Sequence, residues 1–475
     1  MGGFFGVVAK GDCVDDLFYG TDYHCHLGTR RGGLAVRNTT AMMRFIHNIT
    51  NSQLRSKFES DILQMHGKMG IGVISDYEDQ PLIVGSHLGT YAIVTVGVVR
   101  NVQELAKSAF VKRTTHFSEM SGGEINPTEL VATLINQGSS FEEGIRIAQE
   151  QIKGSCSILI LCDEGIYAAR DRLGRTPIVL GTKDGATAVT SESCAFCNLD
   201  FEPVRDLGPG EIVFLSQQGH LQLAPPREQM QVCTFLWVYY GYPASSYEGI
   251  NVEQARYRCG AALAKRDDLE VDIVAGIPDS GSAHAVGYAN QAGIALQRPF
   301  VKYTPTWPRS FMPQDQHVRD LVARMKLIPI REIIAGQRLL FCEDSIVRGT
   351  QLRDTIRRLF EYGAREVHMR PACPPLLYGC EYLNFSRSRS EMDLAARKAI
   401  AQLEGTVPAN IEPYADPDSP KHAAMVEIIR KQLGLTSLRY QRLDDLVEAV
   451  GLPRKKLCTD CWSRSGCEGC PSANA

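Results

Sequence analysis

The chain has 475 residues, with 51 Lys and Arg against 54 Asp and Glu and a net charge of −3. That length predicts two or more domains, each with its own core. The near-neutral balance excludes a chain-wide basic field of the kind that draws in nucleic acid, and no apolar run reaches the roughly 20 residues a membrane-spanning helix needs. The N-terminus lacks the basic-then-apolar form of a secretory signal, so the expected compartment is the cytoplasm. There, 15 cysteines point to thiolate or metal chemistry at some positions and not to a disulfide framework.

In chain order, short β-branched and apolar runs predict strands over Gly89–Val99, Ser157–Cys162 and Glu211–Leu215, with a helix over Ser140–Ile152 between them. This is an α+β layered pattern. The rhythm then changes. Val271–Ile277 reads as a strand, Ala283–Ala292 as a helix, Arg338–Cys342 as a strand, Leu352–Tyr362 as a helix and Glu366–Arg370 as a strand. Such alternation predicts a parallel sheet that binds ligands at its strand C-termini. A Pro/Asp-rich stretch, Val407–Pro420, precedes a C-terminal helical tail. The expected domains are therefore 1–230, 231–405 and 406–475.

The richest motif is Leu339-Leu-Phe-Cys-Glu-Asp-Ser-Ile-Val-Arg-Gly-Thr350. An apolar strand delivers two adjacent carboxylates, Glu343 and Asp344, which can accept hydrogen bonds from neighbouring ribose hydroxyls. The loop that follows opens a helix. Small and hydroxyl residues there (Ser345, Gly349 and Thr350, beside Arg348) bring backbone N–H groups and the positive end of the helix dipole to a phosphate. Upstream, Ile277-Pro-Asp-Ser-Gly-Ser282 also joins a strand to a helix. Asp279, Ser280 and Gly281 suit close backbone approach to an anion, although alone this loop reads equally as a plain turn.

The twelve-residue run resembles the phosphoribosyl pyrophosphate (PRPP) signature of type I phosphoribosyltransferases. Its Ser-Ile-Val-Arg-Gly-Thr form is similar to one family, the glutamine PRPP amidotransferases that open purine synthesis. The resemblance implies an N-terminal nucleophile hydrolase-like α+β domain followed by an α/β phosphoribosyltransferase domain, and homo-oligomerisation. It implies that Asp279, Ser280 and Gly281 form a pyrophosphate loop and that Glu343 and Asp344 orient Mg2+. It also implies that Arg309 to Leu327 closes over PRPP. Departure of pyrophosphate calls for cations and exclusion of water, and Lys326, Arg324, Arg309 and Lys302 are the candidates. Two departures stand out: Tyr303–Pro308 replaces the family's Asn-Arg-Tyr segment, and Gln351 stands where Thr is usual.

The first half departs further. The family's glutaminase begins at a cysteine whose thiol attacks glutamine while its own α-amine acts as base; here Gly2 occupies that place. Ser75 stands for the arginine that holds the glutamine carboxylate, Val96 for the oxyanion-hole asparagine and Pro127 for the aspartate that reads the amine. Loss of one oxyanion donor typically costs ~100-fold or more, so the expectation is a fold kept without its glutaminase chemistry.

Cys458-Thr-Asp-Cys461 presents two thiolates to one metal centre. The family branch that carries a [4Fe–4S] cluster adds two distant cysteines, matched here by Cys233 and Cys380. A competing zinc site uses Cys458, Cys461, Cys467 and Cys470. Cys194-Ala-Phe-Cys197, Cys156, Cys162, Cys259 and Cys342 read as buried packing. Three functions follow: a transferase making phosphoribosylamine from ammonia, free or brought by a donor protein; a transferase with another nucleophile; and a non-catalytic PRPP or nucleotide sensor that assembles with an active paralogue.

Overall fold

The structure is a computed structural model that describes residues 2–111, 117, 120–121, 124–303, 327–383 and 391–464. Its first half is built on two antiparallel sheets. One has seven strands in the order Glu202–Asp206, Val179–Lys183, Ala186–Thr190, Gly3–Ala9, Met69–Ser75, Arg31–Arg37 and Met42–Asn48. The other has six: Gly219–Ala224, Ile212–Ser216, Ile166–Ala169, Gly154–Leu161, Gly89–Val99 and Leu82–Ser86.

Strand alternation sets the layers, because successive side chains point to opposite faces. Phe4, Val8, Ile71 and Val73 of the first sheet meet Val94, Leu159, Ile166 and Val213 of the second in one buried cluster. On the outer face of the first sheet, Phe5, Val7 and Leu34 pack against Leu17, Phe18 and Phe58 from two helices. On the outer face of the second, Tyr91, Ile93 and Ile158 pack against Leu130, Val131, Ile135 and Ile145. The result is helix–sheet–sheet–helix. The predicted Ser140–Ile152 helix spans Phe141–Gln151, with Ser140 as N-cap accepting from Glu143 N–H.

The second half carries a parallel four-stranded sheet, ordered Ile273–Gly276, Arg338–Glu343, Glu366–Pro371 and Ser437–Leu438. Val274, Leu340 and Cys342 face the helices Val252–Lys265 and Ser282–Ala292. Leu339, Phe341, Val367 and Met369 face the other way, onto Ile356, Leu359, Ala399, Ile400, Met425 and Ile429. Residues beyond 406 thus share this core and supply its last strand.

The halves meet over buried polar contacts. Glu192, about 1% exposed, accepts from Ser245 and from Tyr247 Oη at 2.6 Å and lies 3.0 Å from His26 Nε2. Burial alone would raise its carboxyl, but His26, Ser245 and Tyr247 outweigh that and hold it low. Buried Arg170 pairs with Glu248 at 2.6 Å. Among the described residues no helix is long and apolar enough to cross a membrane.

Two glycines let the helices Val252–Lys265 and Ser282–Ala292 touch. A Cβ on Gly260 would overlap the His284 carbonyl, and one on Gly287 would overlap that of Tyr257. Gly260→Ala is expected to destabilise by about 2 kcal/mol, lowering the thermal midpoint by roughly 4–8 °C for a domain of this size. Scanning calorimetry of the ligand-free protein checks this.

Candidate active site

The parallel sheet ends where its chemistry-bearing residues gather. The backbone of the Arg338–Glu343 strand organises the neighbouring loop: Ile277 N–H donates to the Cys342 carbonyl at 3.0 Å, and Gly281 N–H donates to the Ile277 carbonyl at 2.9 Å. A Cβ on Gly281 would overlap the Cys342 carbonyl oxygen, so only glycine lets this loop lie against the strand end. The contact brings Ser280 to Glu343, and its hydroxyl donates to Oε1 at 2.8 Å. Asp279 points outward and pairs with Lys302 Nζ at 2.6 Å.

Glu343 and Asp344 are 8% and 7% exposed. Glu343 Oε1 also accepts from Asp344 N–H at 3.1 Å, and the Ser345 hydroxyl donates to Asp344. Among the described residues no salt bridge reaches either carboxylate. Burial, and then the neighbouring Asp344 charge, push the Glu343 carboxyl well above the ordinary range. Such a pair demands a cation or a hydroxyl donor. Beyond it, Gly349 takes a left-handed conformation (φ 75°) as N-cap of the twelve-residue helix Thr350–Glu361. The loop Ser345–Thr350 therefore ends on free helix N–H groups. Arg348 lies 3.9 Å from Asp393. Arg309, Arg324 and Lys326, with Thr304–Pro308, lie outside the described residues.

In the first half Gly2 lies beside Ile74 and Ser75, and residues next to Val96 and Pro127 hydrogen-bond to each other. Gly2 is buried, and a Cβ there would overlap the Ile74 carbonyl oxygen. The Ser75 hydroxyl donates to Glu78 at 2.8 Å and accepts from the backbone N–H of Tyr77 and Glu78, both at 3.2 Å. Gln80 brackets Thr95, accepting from its N–H at 2.7 Å and donating to its carbonyl at 3.2 Å. Thr95 in turn bonds Thr128 through their hydroxyls at 2.7 Å. Val96 is 4% exposed in the inter-sheet core. Pro127 occupies the first turn of the helix Pro127–Ile135, where its missing N–H is not needed, and Asn126 caps that helix by accepting from Thr128 N–H.

Cys233, Cys380, Cys458 and Cys461 line one small pocket together with Arg175, Phe235 and Tyr382. A two-residue parallel pairing sets Cys233 directly beside Cys458. The Leu377 and Tyr378 N–H groups donate to the Cys461 carbonyl, and Leu383 N–H reaches the Cys380 sulfur at 3.4 Å. Burial pushes the Cys458 thiol up to about 12 and raises Cys233 well above its usual value, with the neighbouring thiols adding to the effect. Contact with Cys380, then burial, raises Cys461. Among the described residues no three His, Cys, Asp or Glu side chains are set around a single ion. Cys467 and Cys470 lie outside the described residues. Cys156, Cys162, Cys259 and Cys342 are buried. Cys194 is buried as well, but Cys197 is exposed, against expectation, because the short Cys194–Cys197 helix turns its last residue outward.

Residues 66–198 match a glutamine amidotransferase domain family. The chloroplastic amidophosphoribosyltransferase of Vigna aconitifolia is 32% identical over 81% of this chain and 73% of its own. The chain belongs to the amidophosphoribosyltransferase family. The amidophosphoribosyltransferase of Methanocaldococcus jannaschii is 29% identical over 97% of this chain and 96% of its own. A solved structure, glutamine PRPP amidotransferase from B. subtilis complexed with ADP and GMP, superposes with a TM-score of 0.83 at 26% identity, covering 97% of this chain and 96% of that one. An amidophosphoribosyltransferase fold follows for this chain: a layered N-terminal nucleophile hydrolase-like domain, then an α/β phosphoribosyltransferase domain.

Two residues escaped sequence reasoning. Arg175 and Tyr382 carry no local motif, yet they close the cysteine pocket from opposite halves of the chain. Their guanidinium and ring stack 3.5 Å apart.

The raised Glu343 carboxyl has a stability consequence. A group with a raised folded pKa contributes stability below its unfolded value, 4.5 here, and loses that contribution as pH rises through the folded value. Glu343→Gln is expected to raise the thermal midpoint of the ligand-free protein near neutrality and to flatten its fall as pH rises above the unfolded carboxyl value. Thermal melts across that range read it out.

Proposed function

We propose that this chain is a PRPP-dependent pentosyltransferase of purine biosynthesis that forms phosphoribosylamine from ammonia, its glutaminase half having lost its chemistry. The observation that carries this reading is at position 2. The family's nucleophile needs a side chain there, and a Cβ would overlap the Ile74 carbonyl. Val96 buried in the core offers no oxyanion donor, and Ser75 is engaged by Glu78, Tyr77 and their turn. In this reading residues 1–230 are the glutaminase-like domain, 231–405 the transferase and 406–475 the C-terminal segment.

The transferase half supplies the matching geometry. PRPP lies across the strand ends, its 5′-phosphate on Ser345, Arg348, Gly349 and Thr350 at the helix start and its ribose hydroxyls on Glu343 and Asp344. Asp279, Ser280 and Gly281 receive the pyrophosphate, and Lys302 leaves Asp279 to reach it. Glu343 and Asp344 would hold Mg2+, which would supply positive charge to the departing pyrophosphate. Arg309, Arg324 and Lys326, outside the described residues, add positive charge for the departing pyrophosphate. Neutral ammonia attacks C1 of the ribose, the C1–O bond breaks with its electron pair leaving on pyrophosphate, and the new ammonium sheds a proton to solvent. The chain positions and desolvates the nucleophile, with no general base required.

The four cysteines fit a [4Fe–4S] cluster. Two distant residues and the Cys-x-x-Cys pair converge on one pocket with a backbone donor at the Cys380 sulfur. The zinc alternative draws instead on Cys467 and Cys470. The assembly is a homo-oligomer in the cytoplasm, supplied with free ammonia or served by an ammonia-donor protein or active paralogue.

Pyrophosphate release from Mg·PRPP is expected with ammonium and not with glutamine. Release with glutamine would sink the reading of Gly2, Ser75, Val96 and Pro127. Silence with both, alongside PRPP binding, would turn it into a sensor or a transferase with another nucleophile. Gly2→Cys is expected to leave glutamine hydrolysis undetectable, checked by glutamate formation. Iron and acid-labile sulfide, about four of each per chain, are expected in anaerobically prepared protein.

A further inference from the structure

Arg175 lies in the first half, yet it is 2% exposed and lines the pocket of Cys233, Cys380, Cys458 and Cys461. Its place is fixed three ways. Its backbone carbonyl accepts from Cys233 N–H at 3.2 Å. Its guanidinium donates to Gln231 Oε1 at 3.3 Å. The same guanidinium sits 3.5 Å over the Tyr382 ring, two residues from Cys380. It is the one basic residue lining this pocket among the described residues; Asp460 is the one carboxylate and acts in the opposite sense.

This matters because of what the pocket would hold. Four thiolates around an iron–sulfur core leave net negative charge, and a buried charge needs a counter-charge. The remaining wall, with Phe235 and Leu383, is apolar. A cation held against a ring does not swing away, and charge beside a cluster shifts its reduction potential. One-electron reduction adds a further negative charge, so a fixed cation favours the reduced form.

Resting on the cluster reading above, we propose that Arg175 is the buried counter-charge of a [4Fe–4S] cluster on these four cysteines and sets both its retention and its reduction potential. Arg175 is a positioning and tuning residue here; it touches no substrate. It also gives the first half a role that does not depend on glutamine chemistry.

The test uses the full-length chain, purified anaerobically as wild type, Arg175→Met and Arg175→Lys. Iron and sulfide are counted, and the cluster is titrated with dithionite as electron donor under electron paramagnetic resonance. The expected result is a wild-type cluster, with Arg175→Met shifting the oxidised-to-reduced ratio at fixed potential at least tenfold toward oxidised, ~59 mV for one electron. Arg175→Lys should recover most of that shift. If Arg175→Met sheds the cluster while Arg175→Lys keeps it, the counter-charge role is supported through retention. Equal potentials in wild type and Arg175→Met overturn the role and leave the cluster reading standing, as does loss of the cluster from both variants. Wild type without iron and sulfide overturns both.

Discussion

Val232–Cys233 and Leu457–Cys458 run side by side as a two-residue parallel pair, and much else in the molecule depends on where that pairing sits. It ties the end of the first half to the last described part of the chain. Thr234 strengthens it, its hydroxyl donating to the Cys458 carbonyl at 2.8 Å. Around it, Phe235 and Trp462 stack at 4.9 Å between ring centres. A pairing this short cannot hold by itself, since isolated two-stranded contacts are marginal in water. It persists because buried aromatic surface surrounds it, and a shared metal centre would close it covalently.

The first half holds its fold through the pattern of its strands. Its four layers rest on apolar alternation in the strands, and none of that requires a nucleophile. Gly2, Ser75, Val96 and Pro127 each have a structural occupation. Gly2 lies tight against the Ile74 backbone, Ser75 closes a turn, Val96 fills core and Pro127 starts a helix. Buried polar groups are costly only when unpaired. Here Gln80, Thr95 and Thr128 pair with one another.

The second half keeps the opposite arrangement. Glu343 and Asp344 are held close and buried, a costly pair that a cation or ribose hydroxyl would relieve. Carboxyls with raised values at the C-terminal ends of parallel strands are a common mark of a ligand-binding sheet edge. The glycine at position 281 makes it possible, since it lets the loop bring Ser280 within 2.8 Å of Glu343.

Local pattern decided much of this protein. The strand and helix around Glu343 and Gly349, the alternation of the parallel half, and the Cys458–Cys461 pair are all written in short windows where periodicity and turn chemistry dominate. The helix of residues 141–151 is equally legible, because its cap and its apolar face lie within a dozen positions. Only the tertiary structure decided what depends on distant backbones meeting: that Gly2 lies against Ile74, that Ser437–Leu438 adds a strand beside His368–Met369, that Cys197 faces outward, and that Arg175 reaches Tyr382 across the two halves. The physical reason is range. A residue's helix or strand preference is set by neighbours a few positions away, whereas the space open to its Cβ and the charge it faces are set by chain far away in sequence.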